Sequence, residues 1–344
     1  MPELPEVETV VRDLRPLLVG RSIHGVRQSK QKLRLPWNSD WNNRVTGARI
    51  EAIRRRGKWI VVELERSHSP VTGPHPPTPS PRGRGGVLSP LSPGERGLGG
   101  EGSSYPRLII HLGMTGQFTA VSATTPLPDH LHLVFELDDD SELRFRDTRR
   151  FGSATFSPNE AAVEAFFTEN SLGPEPFGLD AEYFRTAVRR TTRNLKALLL
   201  DQSIIAGVGN IYADEACFRA RLHPGRKGNS LKPEECDRLR EAVETVLAKS
   251  IESRGSTIRD YVGGSGLRGG FQSEFAVYGR TEKPCTVCET AVKWVRLAGR
   301  SSHFCPQCQP TNGQAAKAKG QGVKGKVRAR KTSSHRSRAS PSKE

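Results

Sequence analysis

Two Cys-x2-Cys pairs most narrow what this chain can fold into. Cys285 and Cys288 are followed, after sixteen residues, by Cys305 and Cys308. Four thiolates at this spacing can surround one Zn2+ tetrahedrally. The pattern predicts a small ribbon over residues 271–309, fixed by the metal because a hairpin of about 30 residues cannot fold on a core of its own. Four sulfurs leave no open coordination position, so the predicted role is structural. The other two cysteines, Cys217 and Cys236, lie in helical patterns and are expected to be buried and neutral. The N-terminus, Met-Pro-Glu-Leu-Pro-Glu, is acidic and lacks an apolar signal region, which argues against secretion and against disulfides. No apolar run approaches the ~20 residues of a membrane span. A cytoplasmic protein without a membrane partner is expected.

The remaining chain divides by pattern. Residues 6–18 carry apolar side chains at Val7, Val10, Val11, Leu14, Leu17 and Leu18, which is helical spacing, and Gly20 stops the run. Residues 59–64 form a β-branched run that reads as a strand. Residues 66–104 are rich in Pro, Gly and Ser without periodicity and cannot build a packed unit, so they read as a disordered insertion. A strand resumes over 105–112, which puts the insertion at a hairpin tip, where extra length costs little. Strands over 117–121, 130–137, 142–147 and 153–156 suggest an antiparallel sandwich or barrel. From 158 onward the pattern turns helical, with helices expected over 181–200, 211–220 and 233–253. Residues 263–270 are a glycine-rich loop. The fold class is therefore α+β. The expected units are an N-terminal β-sandwich with flanking helices (1–157), a helical unit (158–270), the zinc ribbon (271–309) and a basic, disordered tail (310–344).

Charge points to an anionic partner. The chain carries +16, and residues 309–344 hold ten Lys and Arg against one acid, a net +9 that leaves +7 for the rest. Nucleic acid is favoured over neutral ligands. The tail is expected to add salt-sensitive affinity of its own.

The motifs then converge. The N-terminal Pro2-Glu3-Leu4-Pro5-Glu6-Val7-Glu8-Thr9 resembles that of the formamidopyrimidine-DNA glycosylase family. Gly57-Lys58-Trp59, His111-Leu112-Gly113-Met114-Thr115-Gly116, Arg149-Arg150-Phe151-Gly152, Leu172-Gly173-Pro174-Glu175-Pro176 and Gly207-Val208-Gly209-Asn210-Ile211-Tyr212 follow in that family's order, and the zinc finger with Arg300 closes the series. The resemblance runs from Met1 to about Gln309, apart from the insertion. It implies a β-sandwich joined to a helix–two-turn–helix domain and a zinc finger, with DNA in the cleft between. It further implies a protein that excises oxidised purines from double-stranded DNA and nicks the abasic site; a monomer is expected, because nothing in the sequence suggests a self-complementary surface.

The residues carry chemistry suited to that expectation. With Met1 removed, Pro2 presents a secondary amine whose ordinary pKa near ~8 leaves a neutral, nucleophilic fraction. Attack on C1′ would give an iminium, an electron sink that acidifies the C2′ proton. Glu3 is placed to pass protons to the leaving base, with Glu6 in support. By resemblance Lys58 contacts phosphate and assists β-elimination, and Arg300 supports δ-elimination. Reaching C1′ requires flipping the nucleotide out of the stack, and the resemblance assigns Met114, Arg149 and Phe151 to filling the gap. Asn210, after two glycines at a helix start, suits a phosphate. His111, His130 and Arg193 are further phosphate-contact candidates, and residues 263–270 match the loop that caps the flipped base. The related endonuclease VIII type, directed at oxidised pyrimidines, shares Pro2, Glu3 and the finger, but Leu4, the Met114 motif, the Arg149–Phe151 turn and the loop over 263–270 favour the purine type. A noncatalytic damaged-DNA-binding protein is disfavoured by the joint presence of Pro2, Glu3, Lys58 and Arg300.

Overall fold

The computed structural model describes residues 2–30, 33, 35–66, 105–256 and 269–311. The insertion beyond Arg66, the first six residues of the glycine-rich loop and the tail from 312 lie outside the described residues.

Helix α1 (Leu4–Leu18) opens the chain. Its start is fixed locally, because the Glu6 carboxylate accepts the Glu3 backbone N–H at 2.8 Å, which satisfies one of the N–H groups a helix start leaves unpaired. Strand β1 (Ile23–Gln28), helix α2 (Asp40–Val45), and strands β2 (Ala48–Arg56), β3 (Trp59–Arg66), β4 (Arg107–His111), β5 (Gln117–Ser122), β6 (Leu131–Leu137), β7 (Ser141–Arg146) and β8 (Ser153–Ser157) complete the first half. They form two four-stranded antiparallel sheets, ordered β1-β6-β7-β5 and β2-β3-β4-β8. The sandwich core lies between the sheets and under α1: Phe118, Phe135 and Phe145 from one sheet, Ile50, Ile60 and Ile110 from the other, and Val7, Val11 and Leu14 from the helix.

The run Trp59-Ile-Val-Val is apolar on both faces for a reason. Ile60 and Val62 point into the sandwich. Val61 and Ile109 point the other way, onto Val163 and Phe167 of α3 (Glu160–Glu169). A strand buried on both faces loses the polar alternation of a half-exposed one. Glu63 of β3 pairs with Arg107 of β4, so the insertion joins two antiparallel neighbours, as its placement at a hairpin tip requires.

The helical half contains α4 (Ala181–Arg189), α5 (Leu195–Leu200), α6 (Asn210–Arg219) and α7 (Pro233–Glu252). The single helix expected over 181–200 is in fact two. The Asn194 side chain accepts the Ala197 N–H at 2.8 Å and caps a new helix. A side chain that bonds the backbone this way competes with helix continuation, and two β-branched residues, Thr191 and Thr192, precede it. Tyr212, Phe184, Leu195, Leu239 and Leu247 centre this core, which also takes in Leu4 of α1. The first turn of α1 is thus gripped by both halves. Strands β9 (Lys293–Leu297) and β10 (Arg300–Phe304) form the last hairpin. No helix among the described residues is long and apolar enough to cross a membrane.

Candidate active site and zinc module

A cleft of about 770 Å³ opens between the sandwich and the helical half. The start of α1 brings Pro2 and Glu3 to it, the β2–β3 turn brings Lys58, α6 brings Asn210, and the β9–β10 turn brings Arg300. Met114, Arg149 and Arg193 reach it from three further loops. Eight of the residues singled out from sequence therefore converge on one surface.

Glu3 is buried, and its carboxylate accepts the Ile211 N–H at 3.1 Å from the first turn of α6. Gly209, the residue before that helix, must lack a side chain, since a Cβ there would lie 2.2 Å from the Glu3 carboxyl carbon. Burial raises the Glu3 pKa, against the opposing charge of Lys58, and Glu6 raises it further. Lys58 is 7% exposed and donates to the Val208 carbonyl oxygen at 2.9 Å. Burial lowers its pKa against the pull of Glu3 and Glu6, and Arg300 lowers it further. Both groups shift toward their neutral forms for the same reason: a dry site penalises charge.

Glu6 stands behind this pair. One of its oxygens accepts the Tyr212 hydroxyl at 2.5 Å, the Ser256 N–H at 2.8 Å and the Ser256 hydroxyl at 2.9 Å. Burial and the nearby carboxylates hold the Tyr212 hydroxyl well above the ordinary tyrosine range, so it stays a donor. Ser256 is the last described residue before the glycine-rich loop. At the loop's far end the Gly270 N–H bonds the Ser253 carbonyl oxygen at 2.9 Å, so the described roots of the loop lie together.

The Met114 loop and the Arg149–Phe151 turn abut one another. A Cβ on Gly113 would sit 2.5 Å from the Gly152 nitrogen, so the contact needs glycine. Asp147, fully buried, ties the loops together through the Thr115 hydroxyl at 2.6 Å and the Gly152 N–H at 2.8 Å. Phe151 is 44% exposed, with the Arg149 guanidinium 4.9 Å from its ring centre.

Three candidates sit differently. His111 does not line the cleft. Its ring lies 4.6 Å from that of Trp59 and its Nδ1 accepts the Gly113 N–H at 3.1 Å. Burial, helped by Lys58, lowers its pKa to about 4, so it is a neutral imidazole near pH 7. His130 is exposed at the head of β6 and lines a separate cavity of about 380 Å³ with Arg27. Its carbonyl oxygen accepts the Asp147 N–H at 3.0 Å. Arg193 lines the cleft but is paired with Asp201 at 2.7 Å.

Sequence reasoning missed several side chains that place these groups. Glu175 accepts the Gly57 N–H at 2.6 Å and the Arg55 guanidinium at 2.7 Å, which fixes the turn carrying Lys58. Gln202 donates to the Val208 carbonyl oxygen and accepts the Gly207 N–H, both at 2.9 Å. Glu175 lies inside the Leu172–Pro176 motif, so its position was visible and its partner was not. Nothing in the sequence marks Gln202.

The four cysteine sulfurs lie within 4.8 Å of one another. Cys288 and Cys305 are 3.4 Å apart, Cys288 and Cys308 3.5 Å, and Cys285 and Cys308 3.9 Å. Zinc–sulfur bonds of about 2.3 Å at tetrahedral angles put sulfurs about 3.8 Å apart. The cluster fits one structural Zn2+.

Comparison with known proteins agrees with this arrangement. Residues 1–154 match the formamidopyrimidine-DNA glycosylase N-terminal domain, residues 172–262 the formamidopyrimidine-DNA glycosylase H2TH domain, and residues 282–311 the zinc finger found in FPG and IleRS. The formamidopyrimidine-DNA glycosylase of Heliobacterium modesticaldum is 40% identical over 316 residues, covering 90% of this chain and all of the relative. That of Geobacter sulfurreducens is 37% identical over 311 residues, with the same coverage. Among solved structures, a Lactococcus lactis FPG variant in complex with Fapy-dG-containing DNA superposes with a TM-score of 0.73 at 31% identity, covering 90% of this chain and 100% of that one. The Lactococcus lactis Fpg bound to abasic-site DNA gives 0.73 at 30% identity, covering 90% of this chain and 99% of that one. The chain belongs to the formamidopyrimidine-DNA glycosylase family.

Proposed function

We infer that this protein is a base-excision-repair DNA glycosylase for oxidised purines that also cleaves the resulting abasic site. The convergence of Pro2, Glu3, Lys58 and Arg300 on one cleft carries the reading. The Lactococcus lactis relatives bound to Fapy-dG and abasic-site DNA support the substrate class.

Once Met1 is removed, the Pro2 nitrogen attacks C1′ of the flipped nucleotide. The C1′–N bond breaks, and its electron pair leaves with the base, which takes a proton from Glu3. A raised pKa keeps more of this carboxyl protonated near pH 7, as an acid requires. The C1′–O4′ bond then breaks, O4′ taking the proton that the Pro2 nitrogen gives up, and the resulting C1′ iminium acidifies the C2′ proton. Its loss expels the 3′ phosphate, and loss of the C4′ proton expels the 5′ phosphate. Lys58 and Arg300 meet those phosphates. Met114, Arg149 and Phe151 fill the space the nucleotide vacates, as wedges do where DNA is kinked. Asn210, Arg193, His130 and His111 contact the backbone, His111 as a neutral donor. Zinc holds the hairpin that presents Arg300 and enters no step. The working units are the sandwich (1–157), the helical DNA-binding unit (158–270), the finger (271–309) and the basic tail (310–344). The protein acts as a monomer on double-stranded DNA in the cytoplasm, at the nucleoid.

Borohydride trapping tests the reading on duplexes carrying 8-oxoguanine opposite cytosine or, separately, thymine glycol. The expected result is a covalent complex on the 8-oxoguanine duplex that disappears in Pro2→Gly. Trapping on thymine glycol alone would move the activity to oxidised pyrimidines. No trapping with binding intact would leave a noncatalytic binding protein.

A further inference from the structure

Lys196 and Asp214 form an ion pair with no exposed surface on either side chain, Nζ to Oδ1 at 2.6 Å. The same ammonium donates to the Asn210 carbonyl oxygen at 2.7 Å. The second carboxylate oxygen of Asp214 points the other way. It accepts the His303 backbone N–H at 2.8 Å and lies 3.1 Å from the His303 Nδ1. His303 belongs to β10, three residues after Arg300. The next residue on α6, Glu215, accepts the backbone N–H groups of Ala276, Val277 and Tyr278 at 3.0, 3.0 and 2.8 Å. These residues lead into the zinc module.

A metal fixes four cysteines relative to each other. It does not set how the hairpin that carries them sits against the cleft. Here α6 supplies two of the ties that do: its first turn holds Glu3 through Ile211 and its second holds β10 through Asp214. A buried ion pair is a poor source of stability, since apolar residues of similar volume often serve as well. Its directional bonds are what an apolar pair would lack.

We propose that Asp214 is a positioning residue that sets where the zinc hairpin holds Arg300 against the cleft. Its two oxygens serve two elements at once, Lys196 on α5 and, on β10, the His303 backbone N–H and ring nitrogen. Asparagine has one acceptor and one donor amide, so it can serve one side and repels the other. The proposal rests on the reading of Arg300 as the group that promotes δ-elimination.

The test uses the full-length protein on a duplex with a preformed abasic site, comparing wild type, Asp214→Asn, His303→Phe and Arg300→Ala. Three quantities are read: the ratio of δ- to β-elimination products, borohydride trapping at Pro2, and zinc per chain by native mass spectrometry. For Asp214→Asn and His303→Phe we expect one zinc, trapping close to wild type, and a δ/β ratio lower by about tenfold, less than the roughly hundredfold that a 1 Å misplacement can cost. Arg300→Ala should lower the ratio at least as much. A normal ratio in both Asp214→Asn and His303→Phe, with a lowered ratio in Arg300→Ala, would overturn the positioning role alone. A normal ratio in Arg300→Ala would overturn the reading of Arg300 and the proposal with it. Loss of zinc from both variants would overturn it as well, because Asp214 would then serve folding of the metal module rather than placement of Arg300.

Discussion

Asp147 and Thr115 share a 2.6 Å hydrogen bond that joins the two loops carrying Met114, Arg149 and Phe151. The same carboxylate takes the Arg149 N–H at 3.2 Å and the Gly152 N–H at 2.8 Å. A buried acceptor with three donors is hard to replace, and Asp147→Asn turns part of it into a donor facing donors. The loss should be about 1–3 kcal/mol, felt in the geometry of the loops proposed to fill the gap. Affinity for an abasic-site duplex should fall by roughly tenfold for each 1.4 kcal/mol that reaches binding. Trapping at saturating protein should stay near wild type. Fluorescence anisotropy beside trapping checks this, and unchanged affinity would show that Asp147 does not set how these loops meet DNA.

Glu3 gives a pH signature. Its pKa is raised by burial, so the protonated acid is lost as pH rises through that value, and base excision should decline once the Pro2 amine is also fully neutral. In Glu3→Gln, single-turnover base excision should fall by about 10²–10⁴-fold, the usual range for a general acid, and strand cleavage at preformed abasic sites should fall far less. The stability sign follows from the same shift. A raised pKa contributes stability that is complete below the unfolded value and is lost as pH rises through the folded one. The Tm of Glu3→Gln relative to wild type should therefore improve from pH 4 to pH 8. A flat difference would contradict the raised pKa.

His111 has the opposite sign. Its folded pKa of about 4 lies below its ordinary 6.5, so the unfolded chain binds the proton more readily between those values. Stability is complete above pH 6.5 and falls as pH drops toward 4, by up to about 3 kcal/mol at 1.36 kcal/mol per unit. Denaturant unfolding at pH 7 and pH 5 should show about 2 kcal/mol of this loss in wild type and much less of it in His111→Gln. NMR of the imidazole should report a neutral ring down to pH 5, and a protonated ring at pH 6 would refute the assignment.

What the sequence revealed and hid follows from the range of the forces involved. The α1 stripe at Val7, Val11 and Leu14 and the paired cysteines are periodic or regularly spaced, so they are legible in the chain itself. The break at Asn194 is not, because one side chain capping the Ala197 N–H outweighs the helical pattern on either side. Glu175, Gln202 and Asp214 act across 118, 6 and 89 residues of chain in their bonds to Gly57, Val208 and His303. A charged or amide residue looks the same in sequence whether it is solvated or bridges two elements. The shifts at Glu3 and Lys58 come from burial that exists only after the two halves meet.

The basic tail yields the last prediction. It carries ten of the chain's Lys and Arg against one acid, and binding to duplex DNA releases counterions in proportion to the phosphates neutralised. A chain ending after Gln309 keeps the sandwich, the helical unit and all four zinc ligands, so trapping on 8-oxoguanine DNA should survive the truncation. The dependence of log Kd on log salt should flatten by about 0.9 for each phosphate contact the tail had made. Affinity should therefore drop at low salt and converge with the full chain at high salt. Equal slopes for the two proteins would show that the tail's charge does not reach the DNA, and would assign the salt dependence to the +7 carried by the rest of the chain.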